Sequence, residues 1–75
     1  MINVEAIKPD MPVVCSQGTQ FAVIDHLDGD ESIKLKKDEG GKHHYIPVSW
    51  VTLVDEKIHV DRPGFQAMRD WKTEN

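Results

Sequence analysis

Turn signals cut this chain into apolar runs too short for a helix to stand on alone. Ser16-Gln17-Gly18-Thr19, Asp28-Gly29-Asp30-Glu31, Gly40-Gly41, Asp55-Glu56-Lys57 and Pro63-Gly64 are the cuts. Glycine supplies the positive φ that tight turns need, and Asp-Gly is a strong hairpin cue. Between the cuts lie runs of roughly three to seven residues rich in β-branched and aromatic side chains, which read as strands. The first covers residues 11–15, with Pro12 at its start or on an edge. In the second, residues 21–27, the large apolar positions Phe21, Val23, Ile24 and Leu27 break strict alternation. A bulge at Ala22–Val23 is expected to bend it. Ser32-Ile33-Lys34-Leu35-Lys36 alternates cleanly, with Ile33 and Leu35 inward. His43-His44-Tyr45-Ile46 is extended up to Pro47, a turn anchored by Trp50 follows, and Thr52-Leu53-Val54 and Ile58-His59-Val60 complete the strands.

The pattern predicts a mainly β domain of five or six strands. Its expected core is Val13, Phe21, Ile24, Leu27, Ile33, Leu35, Ile46, Val51, Leu53 and Ile58. With 75 residues this core is thin, because a domain of about this size buries only about 60% of the surface its unfolded chain exposes. Cys15 is the only cysteine, so no disulfide within the chain can staple it. The β part is expected to span residues 1–62. Residues 63–75 form a separate accessory segment, where Phe65, Met68 and Trp71 recur at the spacing of one helical face. That stripe is the candidate docking surface.

Thirteen acidic against nine basic side chains give a net charge of −4, which works against generic nucleic-acid binding. The start of the chain has no basic region followed by an apolar stretch, so no signal peptide is expected, and no run is long enough to span a bilayer. The expected location is the cytoplasm.

His43-His44-Tyr45-Ile46-Pro47-Val48-Ser49-Trp50-Val51, with Gly18 and with Asp28-Gly29-Asp30 ahead of Ile33-Lys34-Leu35, resembles a bacterial family of domains of unknown function that is PRC-barrel-like. The nine-residue block is the specific part, and the likeness covers residues 7–60. Ala22 departs from the glycine such domains often carry beside the bend. The resemblance implies a small, highly curved β-barrel. It also implies a manner of working, since characterised PRC barrels dock in photosynthetic complexes and in a ribosome maturation factor. It assigns no functional residue.

Several residues invite sharper chemistry. His26, His43, His44 and His59 invite a metal reading, but adjacent strand residues point to opposite faces and no Cys/His spacing pair is present. Asp25, Asp28, Asp30 and Glu31 lack calcium-loop spacing. Ser49 lacks the surroundings of a nucleophile, and Cys15 sits in an apolar run. Lys34, Lys36, Lys37 and Lys42 beside Tyr45 support nucleic-acid binding as an alternative. The leading expectation is a non-catalytic module without cofactor or small-molecule substrate, docking on a protein partner or on itself.

Overall fold

A strand this short needs neighbours on both sides, and the chain finds them by bending one strand so that it serves two. In the computed structural model, which describes residues 4–73, β2 (Gln20–Asp28) is that strand. Its first half pairs antiparallel with β1 (Pro12–Val14), and its second half with β3 (Ser32–Leu35). The register slips at two places, leaving Phe21 and Asp25 as the extra residues, where a single bulge at Ala22–Val23 was expected. Bulges kink a strand and increase its twist, so Ile24 between them points wholly into the core.

The turns take the geometry their residues dictate. Gly29 has φ +74 in the hairpin from β2 to β3, and Gly18 has φ +85 in the turn from β1 to β2. After β3 comes a polar loop, then β4 (His44–Pro47), a 3₁₀ turn (Val48–Trp50) and β5 (Val51–Val54). β6 (Ile58–Val60) returns antiparallel to β5 and lies parallel to β1. The chain then forms α1 (Gly64–Asp70) and β7 (Lys72–Thr73). β7 pairs with β4 through His44–Thr73 and Tyr45–Lys72.

The fold is therefore mainly β, a mixed seven-stranded sheet in the order β5-β6-β1-β2-β3-β4-β7 with one short helix. One more strand is present than the five or six expected. The sheet is not closed, because β5 and β7 are its two edges. It also does not end at Val60, since the C-terminal segment supplies an edge strand. Cross-links outside the ladders draw its parts together: Val48 N–H donates to Glu31 O (2.8 Å), Asp61 N–H to Trp50 O (3.0 Å) and Ser16 N–H to Arg62 O (3.0 Å).

Val13, Ile24, Ile33, Leu35, Ile46, Val51 and Ile58 are buried as expected, while Phe21 and Leu27 are half-buried around them. Leu53 is the correction, being 51% exposed. The register slips between Val51 and Leu53, so Thr52 is the extra residue and Leu53 falls beside His59 on the outer side. Ile7, Val14, Cys15, Val60 and Ala67 are buried in addition. Ala67 is where α1 meets the domain. At the head of the helix, a methyl on Gly64 would lie 3.8 Å from Cys15 Cβ and 3.9 Å from Phe21 Cβ, which places α1 over the start of β2.

Candidate functional site

Two regions of the surface hold the residues that the sequence marks for chemistry. The first is built on β4 and the loop before it. Adjacent strand residues face opposite ways, so His43 and His44 part company. His43 Nδ1 meets Leu35 O at 2.9 Å and lies 3.9 Å from Asp25, while His44 turns inward and is 6% exposed. A buried imidazole needs partners for its nitrogens, and this one has both. Nε2 lies 2.5 Å from Asp38 Oδ2, and Nδ1 lies 3.0 Å from the Thr73 hydroxyl on β7. Trp71 stacks on the ring with centroids 3.7 Å apart and planes 11° from parallel.

Asp38 orders the glycine-rich loop as well. Its Oδ1 accepts from the backbone N–H of Gly40 (2.8 Å) and Lys42 (3.1 Å). Hydrogen bonding to His44 first, and to these amides next, holds its carboxyl at about 2, below the ordinary 3.8. Beside this network is a hollow of about 510 Å³ walled by Phe21, Trp71, Lys36 and Lys37. Lys36 is committed to Asp10, whose carboxylate holds the ammonium pKa above its usual value.

The basic cluster expected for nucleic acid is divided by the fold. Lys34 and Tyr45 are cross-strand neighbours, with the ammonium 5.9 Å from the ring centroid. Tyr45 borders a different hollow, with Ile46, Pro47 and Trp50, and Lys42 is exposed on the loop. Trp50 is half-buried on its 3₁₀ turn, and its face is covered by the Arg62 guanidinium at 3.8 Å from the ring centroid. His26 pairs with Asp25 and His59 with Asp55. Among the described residues no group of three or more His, Cys, Asp or Glu side chains is placed to hold a metal ion. Ser49 is exposed on the same 3₁₀ turn as Trp50.

The second region carries the large apolar side chains that the fold leaves exposed. The helical stripe expected for Phe65, Met68 and Trp71 splits, because α1 ends at Asp70 and Trp71 is already extended (φ −68, ψ 158). Trp71 goes to His44, while Phe65 stays 69% and Met68 46% exposed. They border a hollow of about 370 Å³ with Cys15, Gln17 and Phe21. Across the β1–β2 turn, exposed Leu53 borders a second hollow of about 620 Å³, and Cys15 and Gln17 line that one too. This joint face is not legible in the sequence, because Leu53 reads as core. Cys15 is buried at its centre. The backbone N–H of Gln17, 3.4 Å from Sγ, is the largest of the influences that hold the thiol pKa below its ordinary value; burial opposes it.

No helix among the described residues is long and apolar enough to cross a membrane. No curated protein matches the chain. A family profile runs over residues 7–68, from buried Ile7 to Met68 on α1, and so reaches past the residues 7–60 of the resemblance into most of the helix. The chain belongs to the family described as an uncharacterized protein conserved in bacteria (DUF2171).

Proposed function

We propose that this chain is a non-catalytic, cytoplasmic docking module on a PRC-barrel-like scaffold, and that it binds protein through the face divided by the β1–β2 turn. One observation carries the reading. The exposed large apolar side chains of the described residues, Leu53, Phe65 and Met68, border two hollows that share Cys15 and Gln17 as a wall. Single apolar residues on a surface need no purpose, but three large ones gathered about two hollows with a common wall support an interaction site. The face is also poor in groups that do chemistry: its carboxylate Asp61 pairs with Arg62, and its imidazole His59 with Asp55.

The test is a comparison of baits. Tagged parent and the triple variant L53S/F65S/M68S are used to retain proteins from a nuclease-treated bacterial lysate, with quantitative mass spectrometry as the readout. The reading expects proteins held by the parent and lost by the variant, with both baits folded by circular dichroism. Equal retention by the two baits contradicts it.

A further inference from the structure

We propose that the hollow beside Trp71 is a binding site for a small planar aromatic carboxylate, in addition to the docking face. The hollow exists because two strands part. β2 and β3 are paired as far as Ile24–Leu35, and past that pair Lys36 N–H donates to Val23 O (2.8 Å). The start of β2 then runs along β1, while the chain beyond Leu35 goes on to Asp38. The space of about 510 Å³ that they border lies within the range of pockets that take small ligands, about 300–1,000 Å³. Its walls suit a flat apolar body. Phe21 and Trp71 border it with ring planes 40° apart, together with Ala22, Val23 and Leu35. One wall is fixed in advance, since Trp71 is stacked on His44 and both ring nitrogens of His44 are bonded. A wall that is already ordered costs little to bind against.

Charge sets the rest of the ligand. Besides His44, the ionisable side chains that border the hollow are Lys36, Lys37 and Asp38. Lys36 is paired with Asp10. Asp38 has Oδ1 on the amides of Gly40 and Lys42 and Oδ2 on His44, so both of its oxygens are engaged. Lys37 is exposed, and its ammonium has no partner among the described residues. The unmatched charge is thus a single positive one beside aromatic walls, which selects a monoanion. A lone ammonium suits a carboxylate. A phosphate is better held by several donors at once, from a guanidinium fork or a row of backbone amides. A nucleic-acid backbone needs a series of cations.

The experiment is an NMR titration of the isotope-labelled full chain with three probes that share one ring system: naphthoate, naphthylmethanol and naphthylmethylammonium. Naphthoate is expected to shift the Lys37 amide and the Trp71 indole N–H, and to saturate with a Kd on the order of 1 mM, ordinary for so small a ligand. The alcohol is expected to bind more weakly, and the ammonium more weakly still. K37Q, at an exposed position, is expected to lose about threefold to fivefold in affinity for naphthoate, the effect of one exposed ion pair, and nothing for the alcohol. No saturable shift with naphthoate up to about 10 mM overturns the site. An ammonium probe that binds as tightly as naphthoate overturns the choice of an anion. A K37Q chain that binds naphthoate like the parent overturns the role of Lys37. The L53S/F65S/M68S variant separates this site from the docking face. It is expected to bind naphthoate like the parent, and a loss of binding there overturns the assignment to this hollow.

Discussion

On the side of β4, a histidine is buried; on the side of β5, a leucine is exposed. Both placements reverse the usual preference, and the surroundings explain each. His44 meets Asp38 and Thr73 through its two ring nitrogens and lies flat against Trp71. A buried polar group with all its partners fixes one arrangement and penalises others. The network joins three pieces distant in sequence: the loop at Asp38, strand β4, and the C-terminal β7. Leu53, Phe65 and Met68 gain nothing comparable within the chain, because about half of Leu53 and Met68 and most of Phe65 is exposed. The first side specifies the fold. The second leaves free energy to be gained by covering it.

Trp71→Ala removes the stack on His44 and the contact with Phe21, whose ring centroid is 6.1 Å away. Urea unfolding should show a loss of about 3 kcal/mol, at the low end for a large aromatic because Trp71 is only half-buried. A loss below about 0.5 kcal/mol would mean that the C-terminal segment does not support the sheet. His44→Ala should cost about 2 kcal/mol by the same measurement, since it strips a buried ring of two hydrogen bonds and leaves Asp38 and Thr73 without that partner. Deletion of residues 72–75 combined with His44→Ala should then cost less than the sum of the two, because both remove the His44–Thr73 bond. Full additivity in that cycle would show that the two ends are not joined through His44.

Acid sharpens the same contrast through Asp38. Its pKa in the folded chain is depressed to about 2 from the ordinary 3.8. The ionised carboxylate therefore stabilises the fold fully above the unfolded value, and the contribution is lost as pH falls through the folded one. The stability advantage of the parent over D38N should be constant from neutrality down to about pH 4 and shrink between about pH 4 and 2. An advantage that persists unchanged at pH 2, measured by denaturant unfolding in acid, would contradict the assigned role of the carboxylate.

Much of the strand pattern was legible, and the gaps have physical causes. Ile33 and Leu35 alternate with two lysines, so their inward phase was fixed by period alone. Asp28-Gly29 marked its hairpin for the same local reason. Thr52-Leu53-Val54 is too short to show a phase, and the slip at Thr52 depends on pairing with β6, which no local pattern encodes. Phe65, Met68 and Trp71 share a helical spacing, but the helix stops one residue before Trp71, and the extended backbone there sends the indole to His44. β7 consists of Lys72 and Thr73, which carry no apolar signal. The network at His44 was hidden for a related reason. Asp38 lies in a polar loop, and its reach across to β4 depends on the turn that Gly40 and Gly41 allow. The two halves of the exposed apolar face lie on residues that the sequence separates, so only α1 shows a pattern.

On the proposed reading, Leu53, Phe65 and Met68 serve docking and not folding. Thermal unfolding of L53S/F65S/M68S beside the parent tests this most directly, at a concentration of about 2 μM, low enough that association does not contribute. Melting temperatures within about 8 °C of each other are expected, since three exposed substitutions at up to about 0.5 kcal/mol each sum to at most about 1.5 kcal/mol. In a domain of about this size each 1 kcal/mol moves the midpoint by about 4–8 °C. A triple variant that melts ten or more degrees below the parent, on the order of 2 kcal/mol, would place these side chains among those that hold the fold together and contradict the account.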